Sequence, residues 1–369
     1  MVLYAVWEKG VMMAKEYKPS TKLKAPFPWF GGKSRAAHLV WSALGDVDNY
    51  VEPFAGSLAV LLARPHAPNT ETVNDIDRYI VNFWRALQHD PAGVAHHANN
   101  PANESDLIAR HIWLVNSGAD RIARIDGDPD YFDSKVAGWW AWGISCWIGS
   151  GWCAGNGPWG SIDGKLVNLR DGYGDCVGVW RQRMHLGHGG QGVNRKLLHL
   201  GDGGRGVNRK RVHLDGASCS EANIFEYLNT LACRLRYVRV CCGDWARVVT
   251  RGSLSQGSTV GIFFDPPYDT DIRANVYRTD GEHGQISADV RRWCLENGDN
   301  PRYLIVLAGY EDEHGDEMPD SWHVIEWSAS RAYGTSGGDT TNSENRKKER
   351  LWLSPNCLVD ERDKQLSMF

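Results

Sequence analysis

The sequence predicts an α/β fold with a mainly parallel sheet, divided by a long inserted segment of different composition. Short apolar runs rich in β-branched and aromatic residues alternate with segments of helical periodicity, which is the order found in parallel sheets with crossover helices. Between the two halves, residues 139–213 are rich in Trp and Gly and end in a basic repeat. The 369 residues suffice for one large domain, or for a core with a smaller inserted module.

The predicted elements fall into two groups. In the first half, a strand at 49–51 runs through a tight turn into a helix that starts at 58. A second strand at 71–73 precedes a helix at 78–88, whose apolar residues recur on one face. The second half contains predicted strands at 237–241, 260–264, 302–307, 323–327 and 350–353, and predicted helices at 222–235 and 288–296.

Composition excludes several classes of protein. The chain has no run of about twenty apolar residues, which argues against a membrane span. Its first ten residues lack the features of a signal peptide. The nine cysteines are odd in number and form no C-x-x-C pair, so neither a disulfide framework nor a zinc site is indicated. We therefore expect a reduced, cytoplasmic protein without a bound metal.

The charge is unevenly distributed. Residues 181–213 hold eight Lys or Arg and one acid, so this segment carries +7 and leaves −11 for the rest of a chain whose net charge is −4. Within it, residues 185–198 match residues 199–212 at ten of fourteen positions. A local basic surface on an acidic body indicates contact with a polyanion, although a solvated flexible loop is the alternative. The six Trp at 139–159 are interpreted as core packing rather than as a base-stacking platform.

The strongest chemical signal is Asp265-Pro266-Pro267-Tyr268, directly after the apolar run 260–264. The lone pair of an adenine N6 amine is delocalised into the ring. A carboxylate from Asp265 and a carbonyl from Pro266 could accept its two hydrogens and localise that lone pair. Tyr268 offers an aromatic face for an extruded base. The alternative is a proline turn with a solvated Asp.

Three further motifs point to a nucleoside-type ligand. The turn at 52–57 is small enough to let the backbone approach a ligand, and Asp75 ends the next strand, where a carboxylate can hold ribose hydroxyls. Asp77 is the competing residue, and its alternative role is that of a first-turn helix acid favoured by the helix macrodipole. The sequence at 30–34 superficially suggests a phosphate loop. That reading fails because Phe27 stands where the motif requires Gly, and prolines break any preceding strand.

In this order, the motifs at 30–33, 52–57, 74–77 and 265–268 resemble those of the Dam-type group of DNA adenine N6-methyltransferases, the α-group or D12 class. The Gly-rich middle is similar to that of phage-encoded members. The resemblance implies a Rossmann-like S-adenosylmethionine-dependent methyltransferase fold with an inserted target-recognition domain. It places the catalytic domain at 22–84 and 221–355, the recognition region at 85–220 and a flexible tail at 356–369. It also implies S-adenosyl-L-methionine as cofactor and double-stranded DNA as substrate, as in restriction–modification or on phage DNA.

The resemblance also assigns roles to individual residues. It puts Lys33 near the methionine carboxylate of the cofactor, Asp75 on the ribose and Asp244 at the adenine. The full cofactor set is Trp29, Phe30, Gly31, Gly32, Lys33, Glu52, Pro53, Phe54, Ala55, Gly56, Asp75 and Asp244. The catalytic set is Asp265, Pro266, Pro267 and Tyr268. From the basic repeat we expect DNA contacts by Arg195, Lys196, Arg205, Asn208, Arg209, Lys210 and Arg211.

Two questions stay open at the level of sequence. Cytosine N4 or an RNA adenine is an alternative substrate, and a catalytically silent DNA-binding protein is an alternative of another class. The C-terminal peptide resembles the bacterial sliding-clamp-binding motif, and a frayed amphipathic tail is its alternative. The clamp contacts would be made by Gln365, Leu366, Met368 and Phe369.

Overall fold

A seven-stranded, mostly parallel sheet forms the centre of the computed structural model. The structure describes residues 3–8, 11–16, 23–29, 31–128, 130–147, 152–153, 159–162, 165–168, 221–267, 283–327 and 349–359. The strands of the central sheet are β3 (Asn49–Glu52), β4 (Thr70–Asp75), β7 (Arg239–Cys242), β8 (Val260–Phe264), β9 (Tyr303–Tyr310), β10 (His323–Glu326) and β11 (Glu349–Leu353). Two hairpins lie outside this sheet, formed by β1 (Leu3–Glu8) with β2 (Val11–Glu16) and by β5 (Trp159–Ile162) with β6 (Lys165–Asn168).

The strand order across the sheet is β10-β11-β9-β8-β3-β4-β7. The pairs β9–β8, β8–β3, β3–β4 and β4–β7 are parallel, whereas β11 is antiparallel to both of its neighbours. The chain therefore moves outward from β3 in one direction through β4 and β7, and in the other through β8 and β9. Such a reversal of strand order leaves a crevice at the carboxyl ends of β3 and β8, where open α/β sheets bind ligands. The α/β prediction with a mainly parallel sheet is confirmed.

The strands are buried on both faces, as parallel strands covered by helices are. All residues of β3 and β8 are buried. Side-chain alternation along a strand divides them between two hydrophobic clusters. Tyr50 and Phe263 belong to one cluster, whereas Val51 and Phe264 belong to the other.

Helices cover both faces of this sheet. The first three are α1 (Ala37–Leu44), α2 (Ala59–Leu62) and α3 (Arg78–His89); α8 (Glu221–Leu235), α9 (His283–Asn297) and α10 (Glu311–His314) come from the second half. Buried residues of α1, α3 and α8 contribute to the cluster that contains Tyr50, and those of α9 to the cluster that contains Val51. The sequence had predicted α3, α8 and part of α9, but not α1.

A helical segment follows α3 within the region expected to be an insert. It consists of α4 (Pro91–Ala98), α5 (Glu104–Trp113), a π-helical turn (Leu114–Gly118), α6 (Ala119–Ile122), a 3₁₀ turn (Ala123–Asp126) and α7 (Ser134–Cys146). Helices α4 and α7 pack on α3, and their buried residues share its hydrophobic cluster. The expected boundary at residue 85 thus lies within α3, and the helices that follow it pack on α3 itself. The division into domains stays a prediction.

The interpretation of the Trp-rich segment as core is confirmed for the side chains that the structure describes. Trp140, Trp142 and Trp152 are buried, while Trp139 and Trp147 are partly buried against the same cluster. Trp140 lies in edge contact with Phe27, which precedes the first glycine motif. This segment therefore supports one wall of the sheet's ligand crevice. In the described part of the chain, no helix is long and apolar enough to cross a membrane.

Candidate functional site

A cavity of about 430 Å³ opens at the carboxyl ends of β3, β4, β7 and β8, within the range of small-molecule sites. The segments that line this cavity are far apart in the sequence. Its lining includes eleven residues expected to bind a cofactor, namely Trp29, Gly31, Gly32, Lys33, Glu52, Pro53, Phe54, Ala55, Gly56, Asp75 and Asp244. Two of the expected catalytic residues, Asp265 and Pro267, lie in the same wall.

The loop before α1 brings a buried ammonium group to Asp265. Lys33 is 3% exposed, and its Nζ donates to the Gly31 carbonyl at 3.0 Å and lies 2.8 Å from Asp265 Oδ1. Asp265 follows the last residue of β8, so the central strand fixes its position. Lys33 thus forms an ion pair with a carboxylate of the protein itself, that of Asp265. Whether it also serves a cofactor stays a prediction.

The turn after β3 supplies a tight backbone and a buried carboxylate. Gly56 has a left-handed φ of 45°, and a Cβ there would come within 2.5 Å of Trp29 Nε1. Its N–H donates to Asp75 Oδ2 at 2.9 Å, and its carbonyl accepts from the Trp84 indole. Glu52, at the end of β3, is 3% exposed. Glycine at position 56 therefore keeps this side of the cavity open.

Two aspartates near the end of β4, Asp75 and Asp77, make different contacts. Asp75 accepts from the backbone N–H groups of Gly56 and Asp77, each at 2.9 Å. Burial raises the pKa of Asp75 to about 6, against the lowering effect of these hydrogen bonds. Asp77 caps α3 by accepting from the Tyr79 N–H at 2.8 Å, so it lies at the N-cap, one residue before the first turn in which its alternative role placed it. Both side chains nevertheless line the cavity.

A neighbouring amide has spare hydrogen-bonding capacity. Asn74 Nδ2 donates to the carbonyls of Pro53 and Gly243 and so ties the loops after β3 and β7 together. Its Oδ1 is buried and has no hydrogen-bond partner among the described residues. A buried polar atom of this kind in a cavity wall is suited to a donor from a ligand.

The far end of the cavity is aromatic and apolar. Asp244 caps a 3₁₀ turn (Trp245–Val248) through the Ala246 N–H. Trp245 stacks near Phe54 with ring centroids 6.4 Å apart. Ile76 is half exposed despite its apolar side chain. This combination is suited to the flat face of a nucleobase.

Sequence reasoning named Asp77 only as the competitor of Asp75, and it missed several other lining residues: Ser57, Ala59, Val60, Asn74, Ile76, Gly243, Trp245, Phe263 and Ile286. Most of them adjoin residues that were predicted, so a rule that includes the neighbours of each strand end would have found them. Ile286 lies on α9, and no local signal connects it to the site.

Several predicted residues lie outside the described part of the chain. They are Phe30, Tyr268, the DNA-contact set Arg195, Lys196, Arg205, Asn208, Arg209, Lys210 and Arg211, and the tail residues Gln365, Leu366, Met368 and Phe369. Among the described residues, no group of three or more His, Cys, Asp or Glu side chains is arranged to hold a metal ion.

The sheet order and the cavity at the reversal of strand order are those of a Rossmann-like α/β fold, which is consistent with the methyltransferase fold. Residues 29–111 match the family model of the D12 class N6 adenine-specific DNA methyltransferases. Over this segment the chain is similar to the N6-adenine DNA methyltransferases of this class. The matched segment includes Lys33, Glu52 and Asp75, and ends before Asp265. A search of curated proteins finds no match to the chain.

Proposed function

We propose that the cavity binds S-adenosyl-L-methionine and that the enzyme methylates the N6 amine of an adenine flipped out of double-stranded DNA at a specific sequence. The observation that carries this proposal is the convergence of Lys33, Asp75 and Asp265 on one cavity. When bound, the cofactor supplies a methyl group already activated on a sulfonium, so the protein has mainly to position the two reactants.

The residues present fit this cofactor. The left-handed Gly56 keeps the cavity free of a side chain that would meet Trp29, and Asn74 Oδ1 offers a buried acceptor. We assign Asp75 to the ribose hydroxyls, the region of Asp244 to the adenine, and Phe54, Ala55 and Gly56 to the methionine end. Trp29, Phe30 and the glycines at 31 and 32 would close the cavity over this end.

For the target base, we assign Asp265 and the Pro266 carbonyl as acceptors of the two N6 hydrogens. Lys33 holds one carboxylate oxygen of Asp265, Oδ1. An orienting ion pair of this kind fixes the carboxylate before the base arrives, which lowers the cost of positioning it. Pro267 would stiffen the segment, and Tyr268 would stack on the flipped base.

For the DNA, we propose that residues 85–220 form the recognition region and that the basic repeat makes the phosphate contacts. Because the rest of the chain carries −11, a local cationic surface has to supply this attraction. We further propose that the tail residues 365–369 bind a sliding clamp. This chemistry would suit the modification enzyme of a restriction–modification system.

The test is a methyl-transfer assay with labelled cofactor on duplex DNA, followed by analysis of the modified nucleosides. Wild-type enzyme should produce N6-methyladenine, while Asp265→Ala should lose transfer and keep cofactor binding, because the cavity remains. N4-methylcytosine, or transfer to RNA alone, would replace the proposed substrate. Turnover by Asp265→Ala at the wild-type rate would remove Asp265 from catalysis, and cofactor binding without any transfer would favour a silent DNA-binding protein.

A further inference from the structure

The end of β10 brings an aromatic side chain to the pair formed by Lys33 and Asp265. Because β11 is antiparallel to both of its neighbours, β10 runs in the same direction as β9 and β8 and ends at the same edge of the sheet as β8. Trp327 directly follows β10, and its backbone N–H donates to the Glu349 carbonyl at 3.5 Å. The centroid of its indole ring lies 5.8 Å from Lys33 Nζ. An ammonium at this distance from the face of an indole is attracted by the π electrons of the ring.

The two members of the ion pair differ in their access to water. The Asp265 side chain is 21% exposed, whereas that of Lys33 is 3% exposed. Trp327 is 9% exposed and packs in the hydrophobic cluster that contains Tyr50. It is absent from the described residues that line the cavity, so its ring approaches the ammonium from the protein interior. Trp327 therefore helps to keep water from Lys33 while Asp265 stays open to the cavity.

The indole of Trp327 is not held in place by a hydrogen bond of its own. Its Nε1 is buried and has no hydrogen-bond partner among the described residues. A buried N–H without an acceptor destabilises the folded protein, and phenylalanine would fill much of the same space without this cost. The benefit of tryptophan at this position therefore comes from its ring face, which attracts a cation more strongly than the other aromatic side chains do. The cation over this ring is Lys33.

We propose that Trp327 is a positioning residue of the reaction and that the face of its indole holds the Lys33 ammonium against Asp265. This inference rests on the proposed function, in which Asp265 accepts a hydrogen of the target amine. An ammonium that is shielded from water keeps its contacts with the Gly31 carbonyl and with Asp265 Oδ1. The carboxylate is thereby held in one orientation before the amine arrives. Trp327 contacts neither reactant, so its effect on turnover passes through Lys33.

The test is a double-mutant cycle on turnover with saturating cofactor and DNA. Trp327→Leu removes the π face and should lower the turnover number about 3- to 30-fold, while the KM for cofactor stays within about twofold of wild type. Lys33→Met removes the charge and keeps the length of the side chain. In this background Trp327→Leu should have no further effect on turnover, because the cation is gone. Additive losses, or unchanged turnover in Trp327→Leu alone, would overturn the proposal.

Trp322 is the matched control for packing. It directly precedes β10, is buried to a similar extent as Trp327 and belongs to the other hydrophobic cluster. Trp322→Leu should lower the free energy of unfolding and leave the turnover of the folded enzyme unchanged. Equal losses of turnover in Trp322→Leu and Trp327→Leu would reduce the role of Trp327 to packing and so contradict the proposal.

A second series applies even where Trp327→Leu does not fold. Fluorinated tryptophans at position 327 withdraw π electrons from the ring and nearly keep its size, so each added fluorine should lower turnover further. Because Nε1 has no partner among the described residues, an altered N–H donor strength does not interfere. Turnover that stays constant across the fluorinated series would exclude a cation–π role for Trp327.

A labelling measurement separates this inference from the proposed function. Wild-type enzyme that transfers no methyl group to adenine would contradict the proposed function itself. The cover over Lys33 can still be measured as the rate of reductive methylation of its amine, followed by peptide mass spectrometry. This rate should be several-fold higher in Trp327→Leu than in wild type and in Trp322→Leu, because the indole no longer covers the amine. Equal rates in all three proteins would refute the assignment of Trp327.

Discussion

The ammonium of Lys33 lies 2.8 Å from Oδ1 of Asp265, although 231 residues separate the two in the chain. Lys33 is almost fully buried, and Asp265 stands at the end of the central strand β8. This pair joins the glycine motif near the start of the chain to the carboxylate assigned to the target amine. Under the proposed function, the loop before α1 is part of the geometry of the reaction as well as of the cofactor cavity.

We therefore expect Lys33→Ala to lower the turnover number about 10- to 100-fold with saturating cofactor, since a carboxylate that is no longer held loses its alignment. Lys33→Arg should restore part of the activity because it keeps the charge. Steady-state kinetics separate turnover from KM, and Lys24→Ala, at an exposed lysine on the same segment, is the control. A higher KM for cofactor with unchanged turnover would place Lys33 on the methionine carboxylate instead.

Asp75 and Asp77 should differ in what their loss affects. Asp75→Ala should weaken S-adenosyl-L-methionine binding by about 1–3 kcal/mol, the scale for losing a charged hydrogen-bond partner. Asp77→Ala should instead cost about 1 kcal/mol of stability, because it removes the N-cap of α3. Calorimetry and denaturant unfolding of both variants test this contrast. Loss of cofactor affinity in Asp77→Ala alone would move the ribose role to that residue.

Glu71 should be a major stability determinant. It pairs with Arg64 at 3.1 Å and with Arg234 at 2.7 Å, and all three side chains are at most 9% exposed. Glu71→Gln would leave the buried Arg234 guanidinium without this counter-charge and Arg64 with only the exposed carboxylate of Asp46 at 3.3 Å, so we expect a loss of about 3–5 kcal/mol in the free energy of unfolding. Asp126→Asn, which breaks the more exposed pair with Arg78, should cost less than about 1 kcal/mol. Similar losses in urea unfolding would contradict this reading.

The basic repeat should determine the salt dependence of DNA binding. If roughly four to six of its cations contact phosphates, log affinity should fall with log salt at a slope of about −4 to −5. Replacing Arg195, Lys196, Arg209 and Lys210 by Gln should flatten that slope and weaken binding to all sequences alike. Cofactor affinity should not change, because Lys33 and Asp75 lie outside the repeat. An unchanged slope would place the phosphate contacts elsewhere. Arg350, which belongs to another basic stretch, is a poor alternative for phosphate contact, since its side chain already pairs with Glu311 and Glu326.

Much of the fold could be predicted because its signals are local. An apolar strand followed at once by a small or proline-rich turn identifies the ends of β3 and β8 without any partner strand. The start of α3 beside Asp77 could be predicted for the same reason, although Asp77 is its N-cap and not an acid of its first turn. By contrast, α1 was missed, because Ala37–Leu44 follows a proline- and glycine-rich loop and carries no N-cap side-chain signal.

By itself, the sequence determined the alternation of strands and helices and the motifs at their ends, on which the resemblance to the D12 class rests, because these depend on residues close together in the chain. Only the tertiary structure decided that Lys33 meets Asp265, that Glu52 lies between Asp265 and Asp75, and that α4 and α7 extend the core beyond residue 85. These relationships depend on which strands pair and which faces become buried. Strand pairing and burial are settled by contacts between distant residues, and local propensity does not encode them.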